Sequence, residues 1–205
     1  MEIVLATRNR RKAEELTRIL EGFNVRFKTL DDCPSCPEVH EDQPTFEGNA
    51  IKKAKAVAHA TGTPALADDS GLEVFALRGA PGVLSARYAG EGADDRGNVS
   101  KLLTEMQGIP VSQRGARFVC CLALAFPGGE VRVFRGTVEG SITTGPCGSF
   151  GFGYDPVFVP VGHDRTFAEM SASEKDTLSH RNAALRQCRD YLQQVSREGG
   201  VYKDF

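Results

Sequence analysis

The sequence predicts an α/β fold: an elongated mixed β-sheet flanked by helices, with two lobes around a central cleft. Short apolar runs of strand length alternate with helical segments along the chain, as is typical of α/β proteins. A long β-hairpin in the second half favours a mixed sheet. No linker, internal repeat or low-complexity tract divides the chain, so residues 1–205 are predicted to form a single domain.

Composition and charge limit the class of protein. Hydrophobic residues make up 40% of the chain and charged residues 25%, which excludes a disordered or collagen-like protein. The net charge of -2 gives no general attraction to nucleic acid or to an anionic membrane, so neither is an expected partner. The start MEIVLATRNRRK lacks the features of a signal peptide, and no stretch reaches the ~18 apolar residues of a membrane span. A cytoplasmic location is therefore expected.

The first predicted elements are a strand and a helix joined by a polar loop. The apolar run EIVLA, residues 2–6, has the length of a strand, and apolar residues then recur at helical spacing. Thr7 or Asn9 can cap this helix, whose free backbone N–H groups suit a phosphate. The ammonium of Lys12 would complete such a site. An ordinary cap followed by solvated basic residues is the favoured interpretation of this loop taken alone.

Two adjacent carboxylates mark the next strand. Residues 23–30 predict a second strand, and the alanine-rich residues 45–60 predict a helix. In PALADDSGLEV, an apolar strand is predicted to end at Asp68 and Asp69, before a glycine turn. Adjacent side chains of a strand point to opposite faces, so one aspartate can anchor the turn while the other faces a cleft. There it would suit a magnesium ion or act as a base for water, and an Asx-turn is the equally favoured alternative.

The second half adds an amphipathic helix, the hairpin, a further strand and a last helix. The helix carries apolar residues at i, i+3, i+4 and i+7: Val99, Leu102, Leu103 and Met106. ARFVCCLALAF and EVRVFRGTVEG flank PGG, which predicts the hairpin. PVFVPV predicts the strand and residues 179–195 the last helix, with Ser171 and Glu174 as a capping box before it.

Other polar residues could bind a nucleotide. In GSFGFGYDPVF, glycines let the backbone approach a ligand, and Phe152 and Tyr154 offer flat faces for a planar base. A glycine-rich turn with core aromatics is the alternative. Glu41 could add a carboxylate for magnesium and Lys53 a cation for phosphate, although each taken singly favours a surface charge. Three further donors cluster near the predicted helix starts at the end of the chain: Lys175, His180 and Arg181.

Six cysteines are present, and two of them form the motif CPSC. Cys33 and Cys36 have the spacing of half a zinc site or of a redox pair. Because no second suitably spaced pair occurs, reduced thiols that bind no metal are expected.

Taken in order, these motifs resemble the inosine triphosphate pyrophosphatase family, which hydrolyses non-canonical purine nucleoside triphosphates. The matching stretches cover nearly the whole chain: LATRNRRK, TFEGNAIKKA, ADDSGLEV, APGVLSARYAG, GFGYDPVF and SEKDTLSHRNAAL. The resemblance implies an elongated α/β fold with a central substrate cleft, a homodimer and a requirement for Mg²⁺. It also implies cleavage of ITP, dITP and XTP to the monophosphate and pyrophosphate, which removes them from the nucleotide pool.

The resemblance also implies roles for individual residues. Asp69 matches the proton acceptor and, with Glu41, the magnesium-binding carboxylates; Lys12 and Lys53 match cations that assist catalysis. The residues matching substrate contacts are Thr7, Arg8, Asn9, Arg10, Arg11 and Lys12 for the triphosphate, Ser70 beside Asp69, and Phe152, Gly153, Tyr154, Asp155, Lys175, His180 and Arg181 for the nucleoside. Two features depart from the family pattern: Arg10 and Arg11 make the first loop more basic, and Phe150 stands where glycine is common.

Base choice and two alternative functions remain to be distinguished. Donors such as Arg181 or Lys175 would favour a purine with an acceptor oxygen at C6 over adenine, whose amino group leaves them unpaired. A septum-inhibitor-type nucleotide pyrophosphatase would share the fold, but SHR and FGYDP argue against it. A nucleotide-binding sensor without hydrolysis would have no need of a base such as Asp69.

Overall fold

The computed structural model describes residues 2–21 and 25–197, and its elements follow the predicted order. The strands are β1 (Glu2–Leu5), β2 (Arg26–Lys28), β3 (Ala65–Val74), β4 (Gly115–Ala125), β5 (Val131–Ile142) and β6 (Phe158–Pro160). The α-helices are α1 (Arg10–Ile19), α2 (Phe46–Thr61), α3 (Asp95–Glu105), α4 (Ala172–Leu178) and α5 (His180–Arg197). Residues 23 and 24 of the second predicted strand lie outside the described residues. No helix in the described ranges is long and apolar enough to cross a membrane.

The strands form one mixed six-stranded sheet in the order β2-β1-β3-β4-β5-β6, which confirms the predicted α/β class. β1 pairs in parallel with both β2 and β3, whereas β5 pairs with β6 in antiparallel orientation. Leu5 lies opposite Leu66 in the parallel pair of β1 and β3. The two strands therefore continue in the same direction. The loop after β1 consequently lies at the level of Asp68 and Asp69 in β3.

Local sequence signals account for the ends of the helices. Asn9 caps α1, and its side chain accepts a hydrogen bond from the backbone N–H of Lys12 at 3.2 Å. Thr45 caps α2 in the same way, and Gly62 ends it in the left-handed conformation at φ 62°. The predicted capping box of Ser171 and Glu174 is confirmed at the start of α4.

The course of β3 differs from the prediction. The strand was expected to end at the two aspartates, but it continues without a turn from Ala65 to Val74. Leu72 and Val74 beyond the pair are both fully buried and point to one face, so burial keeps this part of the chain extended. The two carboxylates consequently lie inside a strand, where they are buried rather than held at a turn.

The chain divides into two compact units, and each has its own core. Unit 1 contains the described parts of Met1–Asp69, Cys120–Gly136 and Arg181–Phe205, and unit 2 contains Ser70–Val119 and Thr137–His180. In unit 1, α1 and α5 pack on the sheet through Leu16, Leu20, Leu185, Cys188 and Leu192. In unit 2, α3 packs on the sheet through Val99, Leu102 and Met106, as its periodicity predicts.

Candidate active site

Asp68 is the centre of a network of charged side chains in unit 1. Its Oδ1 accepts a hydrogen bond from the Lys12 ammonium at 2.7 Å, and its Oδ2 accepts one from Arg181 Nε at 3.1 Å. The thiol of Cys120 also donates to Oδ2, at 3.1 Å. Burial alone would raise the pKa of Asp68, but the charges of Lys12 and Arg181 hold it well below its ordinary value. Asp68 is therefore ionised and serves as an anchor for its neighbours.

Arg181 is buried in this network. Besides its bond to Asp68, its Nη1 donates to Glu15 Oε2 at 3.0 Å, and the side chain is only 3% exposed. Burial alone would lower the pKa of Arg181, but the charges of Asp68 and Glu15 raise it above its ordinary value. These two carboxylates engage Nε and Nη1 of the guanidinium that the sequence-based hypothesis assigned to the purine. The contact of Arg181 with a base stays a prediction.

Lys53 reaches the acidic residues from α2. Its ammonium lies 2.5 Å from Glu41 Oε1 and 3.5 Å from Asp69 Oδ1, and it donates to the carbonyl oxygen of Asp68 at 2.7 Å. Burial alone would lower the pKa of Lys53, but Asp69 and Glu41 outweigh burial and raise it. One ammonium thus lies against two of the carboxylates that the sequence singled out.

Asp69 differs from Asp68 in having a weaker cationic environment. Its Oδ2 accepts a hydrogen bond from the side-chain amide of Asn49 at 3.1 Å, and the residue is 4% exposed. Burial raises the pKa of Asp69 to about 6, against the lowering effect of Lys53 and Lys12. A carboxylate with a pKa in this range is suited to accept a proton near neutral pH.

The donor set of Glu41 and Asp69 fits a hard divalent cation. Both carboxylates already contact the same ammonium, so the position attracts positive charge. Within the described ranges, no cluster of three or more His, Cys, Asp or Glu residues could hold a metal ion. Magnesium requires no such cluster, because it is usually bound by one or two carboxylates together with phosphate and water.

The predicted triphosphate loop surrounds the N-terminus of α1. Thr7 Oγ1 accepts from the backbone N–H of Asn9 at 3.2 Å, and Asn9 in turn caps the helix. Arg8 donates to the backbone carbonyl of Cys36 at 2.9 Å. Arg10 and Arg11 begin the helix with exposed side chains. The loop is thus held by its own side chains and keeps basic residues at the surface.

In unit 2, Asp155 and Lys175 form a buried ion pair. The Lys175 ammonium donates to Asp155 Oδ2 at 2.6 Å and lies 4.8 Å from the centre of the Phe152 ring. Asp155 Oδ2 also accepts from the backbone N–H of Phe152 at 2.8 Å. A side chain at Gly151 would approach this carboxylate to 2.1 Å, which explains one glycine of the loop. The predicted residues Phe152, Asp155 and Lys175 are therefore in mutual contact.

The other residues predicted to bind the nucleoside have different environments. Tyr154 packs in the core of unit 2, and its hydroxyl donates to the carbonyl of Ser85 at 2.8 Å. It does not present the exposed stacking face that the sequence predicted. Gly153 donates from its backbone N–H to Asp95 Oδ2 at 2.9 Å. His180 is buried, with its ring stacked on Phe118 at 4.9 Å.

Three residues of the unit 1 network were missed by the sequence analysis: Glu15, Asn49 and Cys120. Asn49 had a detectable signal, because it precedes Lys53 by four residues and so shares its helix face. Cys120 belongs to the apolar run ARFVCCLALAF of the predicted hairpin, and it is buried. Its bond to Asp68 depends on strand pairing, which the sequence does not reveal.

The chain is similar to known proteins over nearly its whole length. The model of the Ham1 family matches residues 3–191. A protein of Geobacter sulfurreducens named dITP/XTP pyrophosphatase is 48% identical over 190 residues, which are 93% of this chain and 96% of that protein. A protein of the same name from Halalkalibacterium halodurans is 50% identical over 193 residues, 93% of this chain and 98% of that protein. The solved structure of a HAM1 protein from Coxiella burnetii matches with a TM-score of 0.86 at 41% identity, covering 95% of this chain and 99% of that one.

Proposed function

Since the chain belongs to the Ham1 family, we propose that it is a pyrophosphatase that hydrolyses ITP, dITP and XTP to the monophosphate and pyrophosphate. The relatives named dITP/XTP pyrophosphatase match over nearly their whole length, which supports this activity and substrate class. The observation that carries the proposal is the position of Lys53 between Glu41 and Asp69, beside the Lys12 and Asp68 pair. This arrangement combines cations for phosphates with a carboxylate for water.

Asp69 is the proposed proton acceptor. The bond from Asn49 to its Oδ2 fixes the orientation of the carboxylate, which leaves Oδ1 directed towards the ammonium of Lys53. Asp69 would accept a proton from the water that attacks the α-phosphorus. Such positioned proton transfer typically contributes 10²–10⁴-fold to a rate. No covalent intermediate with the enzyme is needed.

Lys12 and Lys53 would stabilise the negative charge that develops on the departing pyrophosphate. An ammonium has three N–H groups, so Lys12 can keep its bond to Asp68 and still donate to a phosphate oxygen. Asp68 would hold Lys12 in place through its ionised carboxylate. The cap of α1 and the basic residues around it would bind the remaining phosphate oxygens.

The proposal includes Mg²⁺ as the cofactor. Glu41 and Asp69 would hold the ion, which supplies charge neutralisation to the triphosphate when bound. Two carboxylates are enough for magnesium, because the other ligands of this ion would be phosphate oxygens of the substrate and water molecules. A cytoplasmic location, expected from the sequence, and a homodimer, implied by the family resemblance, complete the proposal.

For the base, the proposed contacts are Phe152, Asp155 and Lys175, with His180 and Arg181 as further predicted contacts. The pairing of Lys175 with Asp155 supports this assignment, because the pair contains both a donor and an acceptor for a purine edge. Sites that hydrogen-bond a polar group can reject an analogue that lacks it by ~10⁴ or more.

The test is a substrate panel of ITP, dITP, XTP, ATP and GTP, assayed for pyrophosphate and for orthophosphate, with Mg²⁺ and with a chelator. We expect pyrophosphate release from ITP, dITP and XTP that requires the metal, and little from ATP or GTP. Release of orthophosphate would show cleavage at another bond and contradict the proposal. Tight binding without turnover would identify a nucleotide sensor instead.

A further inference from the structure

Cys33 and Cys36 have no part in the proposed hydrolysis, although they lie at the two ends of one turn. The backbone N–H of Cys36 donates to the carbonyl oxygen of Cys33 at 3.0 Å, which closes the four-residue turn. Such a turn brings its first and last Cα atoms within about 7 Å, and a disulfide needs a separation of about 4.4–6.8 Å. Pro34 stands second in the turn, where its fixed φ favours this conformation.

The two cysteines are joined by the backbone hydrogen bond of the turn but differ in exposure. Burial raises the pKa of Cys36, and the charge and hydrogen bond of the neighbouring Cys33 raise it further. Cys36 is 5% exposed, whereas Cys33 is half-buried and can be reached from solvent. Both are free thiols in this structure. The pair thus combines an accessible thiol with a second thiol directly behind it.

The turn is also connected to the predicted triphosphate loop of unit 1. Arg8 donates from its guanidinium to the carbonyl oxygen of Cys36 at 2.9 Å. Arg8 and helix α1 line a cavity of about 730 Å³ together with residues 29–31, the segment just before the turn. A change in the position of the Cys36 carbonyl would therefore act directly on Arg8.

We propose that Cys33 and Cys36 form a reversible disulfide, and that hydrogen peroxide is the oxidant. The Cys33 thiolate attacks a peroxide oxygen, which gives a sulfenic acid on Cys33 and releases water once the thiol proton is transferred. The Cys36 sulfur then attacks the Cys33 sulfur, and the sulfenic oxygen leaves as a second water with the Cys36 proton. Two thiols lose two electrons in total and the peroxide gains them. A dithiol reductant reverses the oxidation by exchange.

The disulfide is tested on the full chain, with Cys147→Ser as the background because Cys147 is an exposed cysteine of unit 2. The protein is treated with hydrogen peroxide, its remaining thiols are alkylated, and proteolytic fragments are analysed by mass spectrometry. We expect a fragment containing both cysteines to be unalkylated and lighter by two hydrogens, and dithiothreitol to reverse this. Alkylation of both thiols after peroxide treatment, or sulfinic acid on Cys33 without a disulfide, would overturn the proposal.

Single substitutions distinguish the thiol that attacks the peroxide, Cys33, from the thiol that then forms the disulfide, Cys36. In Cys36→Ser, the sulfenic acid on Cys33 should persist long enough for capture by dimedone. In Cys33→Ser, the buried Cys36 should remain a thiol under the same treatment. Rapid oxidation of Cys36 in the second variant would contradict the assignment of Cys33 as the attacking thiol.

The effect of the disulfide on Arg8 rests on the proposed function, whereas its formation does not. We expect oxidation to raise KM for ITP by roughly fivefold, as for the loss of one hydrogen bond, with a smaller change in kcat. KM of Cys36→Ser should not respond to peroxide. A disulfide that forms without any change in KM would overturn only the proposed effect on Arg8, and disulfide formation itself would stand. A reduced protein without pyrophosphatase activity would refute the proposed function and leave the mass-spectrometric result unaffected.

Discussion

Charged side chains are paired differently in unit 1 and in unit 2. In unit 1, the carboxylate of Asp68 is shared by Lys12 and Arg181, and Arg181 also binds Glu15. In unit 2, Asp155 has Lys175 as its cationic partner, and that ammonium also lies over the ring of Phe152. The first arrangement is a buried network of alternating charges, and the second is an ion pair against an aromatic surface.

The difference indicates how each group can respond to a ligand. In the network, Asp68 and Arg181 are each bonded to two oppositely charged groups, so removing either one takes a buried partner from two side chains at once. In unit 2, the Lys175 ammonium is bonded to Asp155 and lies over the rings of Phe152 and Phe167, so it can turn to a ligand acceptor while it keeps its aromatic contacts. We infer that the unit 1 network holds phosphate-binding groups in fixed positions, while the unit 2 pair can adapt to the edge of a base.

The largest expected effect is on stability, when Arg181 is replaced. Arg181→Ala leaves Glu15 and Asp68 buried without their guanidinium, which typically costs about 3–5 kcal/mol. The free energy of unfolding from urea denaturation measures this. Lys175→Met is the matched variant from unit 2, and it should cost less because Asp155 keeps its hydrogen bond from Phe152, whereas Arg181→Ala removes an ion pair from both Glu15 and Asp68. Equal losses in the two variants would remove the distinction between network and pair.

Asp69→Asn should lower kcat at least ~10²-fold, because it removes a base and a metal-facing charge together. The amide has the same shape, so the variant should remain folded. Steady-state pyrophosphate release measures the effect, with circular dichroism as the control for folding. Near-normal turnover would exclude Asp69 as the proton acceptor and leave Asp68 as the nearest carboxylate to consider.

The same variant tests the difference between the two aspartates through pH. The pKa of Asp69 is about 6 in the folded protein, above its ordinary 3.8, so the folded state holds this proton more tightly. Ionisation therefore costs stability as the pH rises from about 4 through 6. In chelator-treated protein, the unfolding free energy of Asp69→Asn relative to wild type should increase by about 3 kcal/mol between about pH 3.5 and 8. A difference that stays constant with pH would contradict the raised pKa.

A smaller effect is expected for Lys53, and the chain contains its own control. Lys53 contacts Glu41 and Asp69, while the adjacent Lys52 pairs with the exposed Asp42. Lys53→Met should lower kcat/KM by roughly 10- to 30-fold, about 1.4–2 kcal/mol of transition-state stabilisation. Lys52→Met should stay within about twofold of wild type, since exposed ion pairs contribute little. Equal effects would indicate that only the summed charge of α2 matters.

Most elements of the fold could be predicted because their signals are local. The cap at Asn9, the spacing of Leu16 and Leu20, and the hairpin around PGG each depend on a few neighbouring residues. β3 was predicted incorrectly because the aspartates and Gly71 resemble a turn. Only the burial of Leu72 and Val74 in the core of unit 2 makes the strand continue through them.

Partners of the polar residues were harder to predict than the residues themselves. Arg181 and Asp68 were both noticed, but they are 113 positions apart in the sequence, and nothing local indicates that they form an ion pair. Tyr154 was predicted to stack on a base, but an aromatic residue in a glycine-rich loop can equally well pack in the protein core. Its burial beside Ser85 decides for the core.

By itself, the sequence determined the mixed α/β class, the order of the helices and strands, and which charged residues are candidates for phosphate chemistry. These follow from periodicity, capping and residue type, which act over a few positions along the chain. Only the tertiary structure decided that Asp68 is an ionised anchor while Asp69 has its pKa raised to about 6. Adjacent side chains of a strand point to opposite faces, so two identical neighbours meet different cations, and those cations come from distant segments.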